Sequence, residues 1–265
     1  MRYLMLYFKI QKANVKSRMM YPFNFFLGIF CVMSFGIFQT LFLWVLTRSF
    51  PVITGWNFNE ILFNSAFTMF CYSLSLALFM QLQEIDFYVR KADFDRILVR
   101  PMNPLLQFAC KRINLNGIGT VGYSFIVLLY SGYHVRDWDF FSVIQAVILM
   151  ICGFVASVSI HLIIASTSFK TLQSGGLFEM KEVIYDNVSD YPLSVFSKGI
   201  QTFLTFFFPI ALIGFYPSVY LLGKGNGILF SEFALLICIA GSGVLACLGY
   251  AIWTLALRSY SGAGS

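Results

Sequence analysis

Six long runs without Asp, Glu, Lys or Arg limit the folds open to this chain more than any other feature. Each run is long enough, at about 20 helical residues, to cross roughly 30 Å of hydrocarbon. The runs are rich in Leu, Ile and Phe without strict alternation, so helices fit them better than the strands of a membrane barrel. The sequence therefore predicts an all-α polytopic membrane protein, a single transmembrane domain over residues 1–265, with spans at about 22–47, 61–83, 113–133, 140–168, 199–222 and 233–257.

The composition agrees with this class. Hydrophobic residues make up 58% of the chain and charged residues 11%, whereas a soluble domain carries about 25% charged residues. The net charge of +6 does not indicate nucleic-acid binding, because the basic residues cluster in a few loops. The six Cys form no CxxC pair, so neither a disulfide framework nor a metal site is expected. The first run is too long for a cleavable signal peptide.

The positions of Lys and Arg predict the orientation. Fifteen of the 18 fall on one side of the predicted spans, which makes that side cytoplasmic by the positive-inside rule and places both termini there. The cytoplasmic group consists of Arg2, Lys9, Lys12, Lys16, Arg18, Arg90, Lys91, Arg96, Arg100, Lys111, Arg112, Lys170, Lys181, Lys198 and Arg258. This count treats residues 169–198 as a cytoplasmic loop, with a short helix at about 178–187.

Residues 1–20 form a separate element. Lys9, Lys12 and Lys16 share one helical face, and apolar side chains such as Phe8 and Val15 share the other. This pattern predicts an amphipathic helix lying in the membrane interface, although the basic residues would also serve simply to orient the first span.

No phosphate-binding loop pattern occurs, so the chain is not expected to hydrolyse nucleotide or to hold a cofactor. His161 is the only acid/base side chain deep in a predicted span. It could be a proton relay, but the favoured interpretation is a structural histidine bonded to Ser157 or Ser159, or facing a wet cavity.

The loop at 84–112, between the second and third predicted spans, is unusually rich in charge. Asp93 is expected to cap a short helix with Asp95 in its first turn, because carboxylates favour a helix N-terminus. Arg96 and Arg100 fall near its end, and Pro101 stops it.

This short helix would have one apolar side. Phe94, Ile97 and Leu98 are spaced at i, i+3 and i+4, so they share a face. An apolar stripe with a charged rim is typical of a docking surface, for lipid, for the chain's own loops or for another protein.

The stretch KADFDRILVRPMNP at 91–104 resembles the cytoplasmic signature of ABC-2-type permeases, the membrane subunits of bacterial ABC exporters. The stretch FYPSVYLLG at 215–223 agrees with the same family. The resemblance implies a type V exporter-like architecture with six spans and an N-terminal interfacial helix, in the bacterial cell membrane. It also implies two copies of a cytoplasmic ATP-binding subunit, which carry ATP and Mg, and a second permease chain, identical or homologous.

The resemblance also implies which residues couple the chain to the ATPase. They are Asp93, Phe94, Asp95, Arg96, Ile97, Leu98 and Arg100, with the three apolar ones as anchors.

The fifth predicted span carries Pro209 and Pro217, which should bend its outer third or make it re-entrant. In the resembling family this region helps to close the outer side of the pathway. Phe207, Pro209, Tyr216 and Pro217 are therefore candidates for an outer gate, with ordinary helix kinks and lipid-facing aromatics as the alternative.

The function predicted from these observations is export of an apolar or amphiphilic cargo by alternating access, driven by the separate ATPase. Few charges lie inside the predicted spans, which is the reason for an apolar cargo. Two alternatives stay open: an ion-coupled secondary transporter that uses His161, and a membrane scaffold or sensor that transports nothing.

Overall fold

The computed structural model describes residues 12, 14–109, 111–224 and 231–260. These residues are almost entirely helical, which confirms the predicted all-α class. The α-helices are α1 (Pro22–Ser49), α2 (Phe58–Phe79), α3 (Ile85–Arg90), α4 (Asp95–Leu98), α5 (Pro104–Ala109), α6 (Gly117–Val135), α7 (Phe140–Thr171), α8 (Gly175–Val188), α9 (Lys198–Thr202), α10 (Phe215–Leu222) and α11 (Ala234–Arg258). Strands β1 (Val52–Ile53) and β2 (Trp56–Asn57) form a small antiparallel hairpin between α1 and α2.

Local sequence signals set several of these boundaries. Pro22 starts α1, where its missing N–H costs no intrahelical bond. At the start of α2 the backbone N–H of Asn57 donates to Glu60 Oε2 at 2.8 Å, which satisfies a free donor at the helix end. Helix α10 ends at Gly223, whose φ of 64° is accessible to glycine at little cost.

Four segments in the described part of the chain are long and apolar enough to cross a membrane: Pro22–Ser49, Phe58–Arg90, Phe140–Thr171 and Ala234–Arg258. The bundle they build has two ends. We call the end that holds Pro22 and Arg258 the terminal end, and the end that holds the β1–β2 hairpin the hairpin end. The chain is a polytopic membrane protein, as the apolar runs predicted.

The core forms where helices approach most closely. Helix α6 packs along α2, and α11 packs along α7. Gly153 of α7 faces the backbone carbonyl oxygen of Ile213 so closely that a Cβ atom could not fit between them. Small residues allow this kind of contact between helices in membranes, where packing rather than hydrophobic exclusion holds helices together.

The run at 199–222 is not one helix. It consists of α9, a π-helical turn at Phe203–Phe207, a 3₁₀ turn at Ile210–Leu212, and α10. Pro209 stands between the π turn and the 3₁₀ turn, where it removes a backbone donor. The predicted break at Pro209 is present, and it divides the run into two legs. The first leg starts at Lys198, four residues after Ser194, whose hydroxyl lies 2.8 Å from that of Thr54 in the β1–β2 hairpin. The second leg finishes beside the residue that follows α6, because Arg136 Nη1 donates to the Leu221 carbonyl oxygen at 2.8 Å.

The prediction that residues 169–198 form a cytoplasmic loop is wrong. Gly175 lies beside Asp86 at the terminal end, but the Ser194 hydroxyl lies 2.8 Å from the Thr54 hydroxyl in the hairpin. Between these points Asp190 accepts a hydrogen bond from Ser65 of α2 at 3.3 Å. Helix α8 and the residues after it therefore traverse the bundle. They make the fifth passage in chain order, after α1, α2, α6 and α7. Residues 198–222 then form a re-entrant hairpin at the hairpin end.

This correction changes the charge count behind the orientation. Lys181 lies inside the bundle and is 2% exposed, and Lys198 follows Ser194 at the hairpin end. Most Lys and Arg residues still lie at the terminal end, so the predicted orientation is unchanged.

The predicted interfacial helix at 1–20 falls mostly outside the described residues. Residues 14–18 are helical. The Arg18 Nη1 atom donates to the Asn116 side chain at 3.3 Å, just before α6 begins, which ties this stretch to the bundle.

Candidate functional site

Helix α4 is the centre of the predicted coupling surface, and it is shorter than expected. It contains only Asp95–Leu98, and its N-cap is Phe94 in a helical conformation without a side-chain cap. The prediction that Asp93 caps the helix is therefore wrong. Asp93 instead pairs with Arg96 at 3.6 Å, an exposed ion pair that contributes little to stability.

Phe94 is buried inside the protein. Its ring is 0% exposed and contacts Phe169 of α7 at a centroid distance of 4.9 Å and Trp253 of α11 at 6.3 Å. The rings of Phe108 and Tyr260 complete the surroundings, which we call the aromatic foot (Phe94, Phe108, Phe169, Trp253 and Tyr260). Ile97 is also buried. These two side chains thus fasten α4 to the bundle, and their surfaces are not free for a partner.

The exposed side of the same turn carries the remaining candidates. Leu98 is 39% exposed, and Val99, which the sequence analysis did not select, is 85% exposed. The side chains of Arg96 and Arg100 are also exposed. The structure therefore divides the seven predicted coupling residues into an inner group that packs and an outer group that presents an apolar tip with basic neighbours.

The predicted gate residues do not form one cluster. Tyr216 and Pro217 are buried in α10, and the Tyr216 hydroxyl lies 3.1 Å from that of Thr205. Phe207 is 83% exposed on the π turn and stacks on Phe203 at 5.7 Å. Pro209 links the two legs of the re-entrant hairpin. Their role as a gate stays a prediction.

A polar cluster inside the bundle was missed by sequence reasoning. It centres on Lys181 of α8, whose ammonium group lies 2.8 Å from His161 Nε2 and 2.9 Å from Glu182 Oε1. Glu182 also accepts hydrogen bonds from Tyr72 of α2 and from Gln83, the latter at 3.1 Å. A buried charge is tolerable when it is paired and hydrogen-bonded in this way.

The contacts of His161 fix its protonation. Nδ1 lies 2.7 Å from the Ser157 carbonyl oxygen, which can only accept, so Nδ1 carries the hydrogen. Nε2 faces an ammonium donor, so Nε2 must accept. His161 is therefore a neutral ring that joins α7 to α8. The expected contact with Ser157 is present, through its backbone carbonyl rather than its hydroxyl.

Two further carboxylates, Asp186 near the end of α8 and Asp190 just after it, form no salt bridge within the described residues, although Lys181 lies close enough to attract Asp186 electrostatically. The Asp190 side chain is 8% exposed and accepts hydrogen bonds from Gln39 of α1 and Ser65 of α2. Asp186 is exposed one turn earlier. The four salt bridges within the described residues include neither carboxylate. An ionised carboxylate at mid-membrane costs roughly 2.5–3.5 kcal/mol on insertion scales, so such residues usually mark functional sites.

These carboxylates line an open cleft of about 470 Å³ between α1, α2, α6 and α8. Its polar side is formed by Gln39, Tyr72, Tyr185, Asp186 and Asp190. The cleft reaches from Asn114, beside the terminal end, toward the hairpin end. Its volume lies in the range of about 300–1,000 Å³ that is typical of small-molecule sites. Its apolar walls include Val32, Phe35, Phe38, Phe42, Met69 and Leu76.

The chain was compared with known proteins. A family model described as ABC-2 family transporter protein matches residues 29–264, which is nearly the whole chain. No curated protein and no solved structure matches it significantly. The matched region contains the α4 surface, the re-entrant hairpin and the cleft. This chain, an all-α polytopic membrane protein, therefore belongs to the ABC-2 family of transporter proteins.

Proposed function

We propose that this chain is the transmembrane permease subunit of an ATP-binding cassette exporter. Membership of the ABC-2 family supports a permease role and, in general, an ATP-binding partner. ATP and Mg would bind to that partner, in two copies below two permease chains. The basic clusters at the terminal end support a cytoplasmic location of both termini. The resemblance of residues 91–104 to permeases of bacterial exporters supports a bacterial cell membrane location.

The observation that carries this proposal is the connection between the exposed tip of the α4 turn and the aromatic foot. Val99 and Leu98 present an apolar tip to the surroundings, and Phe94 anchors the same turn against α7 and α11. Packed interiors transmit displacement because they compress little. A partner that moves this tip would therefore move two long helices together, and alternating access requires such a movement.

A second permease chain has a surface available. Helix α1 buries only Gly36, Leu43 and Thr47 among its 28 residues. Its side chains outside the cleft include Phe26, Phe30 and Val45, all more than half exposed. We propose that this surface contacts membrane lipid and the second permease chain.

The test replaces Val99 with Asp and measures whether an ABC-type ATP-binding subunit copurifies from the native membrane. A buried, unpaired carboxylate is unfavourable in an apolar contact, so we expect association to fall by about tenfold or more. The matched control is Val195→Asp, which makes the same change at an exposed site beside the hairpin. Equal association of V99D and the unaltered chain would place the docking surface elsewhere.

A second measurement follows ATP consumption and cargo transport by the purified complex. The purified complex in liposomes should consume ATP and move cargo, and the V99D complex should do neither. ATP consumption without cargo movement would favour the scaffold or sensor alternative.

Ion-coupled transport is a second candidate, favoured by the buried His161–Lys181–Glu182 group. Ionisable residues inside the membrane often form proton relays. Transport by a complex whose ATPase cannot hydrolyse ATP, driven only by a proton or sodium gradient, would support this candidate over the first. Loss of all transport in that complex would exclude it.

A further inference from the structure

The cleft between α1, α2, α6 and α8 combines an apolar wall with two carboxylates that form no salt bridge within the described residues, and this combination indicates a class of ligand. Lys181 pairs with Glu182 at 2.9 Å and also attracts Asp186, so one ammonium group stands against the carboxylates of Glu182, Asp186 and Asp190. Asp186 and Asp190 are left facing the cleft with no Lys, Arg or His among their described salt-bridge partners. When both are ionised, the cleft carries a net negative charge inside an apolar environment.

The surroundings of these carboxylates suit an aromatic or aliphatic cation. Tyr72 and Tyr185 stack on each other at a centroid distance of 3.7 Å beside them, and Lys181 already lies over the Tyr72 ring. The two rings therefore add apolar contact area next to the carboxylates. The Tyr185 hydroxyl is buried and has no hydrogen-bond partner within the described residues. Buried polar groups are nearly always satisfied, so an unsatisfied one at a cleft points to a missing ligand or water.

The position of Asp190 is fixed by its neighbours. Gln39 of α1 and Ser65 of α2 both donate to its Oδ1 atom, so the carboxylate is held between two helices rather than turned to bulk water. A preorganised charge of this kind binds an opposite charge without a large ordering cost. Apolar walls on the other side would hold the hydrophobic part of the same molecule.

We propose that this cleft binds a hydrophobic organic cation, with its positive centre near Asp186 and Asp190 and its apolar groups against α1 and α2. The inference rests on the proposed exporter function, since it names the cargo class of that permease. It narrows the expected apolar or amphiphilic cargo to a positively charged one, because α8 and the residues after it bring carboxylates into the bundle.

The test measures binding of tetraphenylphosphonium to the purified full-length chain in lipid nanodiscs, without any ATPase. Tetraphenylborate has nearly the same shape and the opposite charge, and empty nanodiscs measure partition into lipid. We expect saturable binding of the cation and none of the anion beyond lipid partition. Equal binding of the two ions, or no saturable binding of the cation, would overturn the proposal.

Two isosteric variants locate the site. Asp190→Asn keeps the hydrogen bonds from Gln39 and Ser65, and Asp186→Asn removes the more exposed charge. Each should weaken binding of the cation by about tenfold, since a charge-assisted contact is lost. Asp137→Asn makes the same change at an exposed site outside the cleft and should leave binding unchanged. Unaltered binding in both cleft variants would overturn the proposal.

A labelling experiment on the unaltered chain removes any dependence on folding of the variants. A hydrophobic carbodiimide adds to protonated carboxyl groups in membranes, and mass spectrometry of the peptide with Asp186 and Asp190 reports the yield. Tetraphenylphosphonium should slow this labelling severalfold, and tetraphenylborate should not. Equal labelling with and without the cation would count against occupancy of the cleft.

These measurements separate the cargo class from the proposed function. Cation binding that depends on Asp190 in a chain with no ATPase partner would support the site while the exporter role fails. An ATP-driven complex with no cation binding would retain the exporter role and exclude this cargo class.

Discussion

The hydroxyl oxygen of Ser194 lies 2.8 Å from the hydroxyl oxygen of Thr54, in the hairpin between the first two long helices. Gly175, nineteen residues earlier in the chain, lies beside Asp86 at the opposite end of the bundle. The polar segment after α7 thus runs through the protein, and the apolar segment that follows it turns back. This arrangement has consequences for labelling, stability and packing that can be measured separately.

Cysteine labelling tests the path of this segment. A cysteine at Ser197, which is exposed near the hairpin, should react with a membrane-impermeant maleimide from outside intact cells. A cysteine at Gln173, exposed just before α8, should react only after the membrane is opened. The unaltered chain measures the background from the native cysteines. Labelling of both sites only from the inside would restore the loop predicted from sequence.

Replacement of Lys181 should destabilise the protein strongly. The ammonium group contacts both His161 and Glu182 while almost fully buried. Lys181→Met would leave the half-buried Glu182 without its charge partner and His161 Nε2 without its donor, which typically costs about 1–3 kcal/mol in the free energy of unfolding. Thermal unfolding in detergent is the measurement. Lys170→Met, at an exposed lysine on the preceding helix, should leave the melting temperature unchanged, and an equal effect of the two would refute the role of pairing.

The aromatic foot should also be sensitive to truncation. Phe94→Ala would open a cavity among the rings of Phe169 and Trp253 and should lower the free energy of unfolding by about 3–5 kcal/mol. Phe23→Ala is the matched control, because that ring is 76% exposed on α1. Chemical denaturation of both variants makes the comparison. A small effect at Phe94 would mean that α4 is only loosely attached.

The contact between α7 and the re-entrant hairpin is tested with alanine. Gly153→Ala places a Cβ against the Ile213 carbonyl oxygen, so one of the two segments must move. We expect a loss of about 1–3 kcal/mol, as for other overpacked sites. Gly243→Ala in α11 meets no atom within 4 Å and should be neutral or slightly stabilising, by about 0.5–1 kcal/mol, because alanine favours a helix. Thermal unfolding is the measurement, and the melting temperature of Gly153→Ala should lie below that of Gly243→Ala. The reverse order would contradict the prediction.

Sequence reasoning identified the class of protein because long apolar helices leave a direct signal in hydropathy. It failed on the fifth passage because α8 carries Glu179, Lys181, Glu182 and Asp186, which hydropathy assigns to water. Pairing of Lys181 with Glu182 removes much of the cost of their charges, but a pair formed with His161 on another helix is invisible along the chain.

The structure has a short helix, Asp95–Leu98, within the stretch where the sequence predicted one, and its coupling role stays a prediction. The spacing of Phe94, Ile97 and Leu98 predicted one apolar face, and an amphipathic pattern cannot tell packing within a protein from docking onto another. The structure assigns Phe94 and Ile97 to packing and leaves Leu98 and Val99 outside. Sequence reasoning overlooked Val99 because it is the residue that follows α4 and does not share the face of Phe94, Ile97 and Leu98.

Helix α1 forms one wall of the cleft, and among the described residues it buries only Gly36, Leu43 and Thr47. The opposite wall, α2 with α8, is locked into the interior by the His161–Lys181 contact and the Tyr72–Tyr185 stack. Helix α1 is therefore freer to move than the wall formed by α2 and α8. A modest swing of α1, hinged on its contacts with α6, would widen or narrow the chamber while the protein's interior kept its packing.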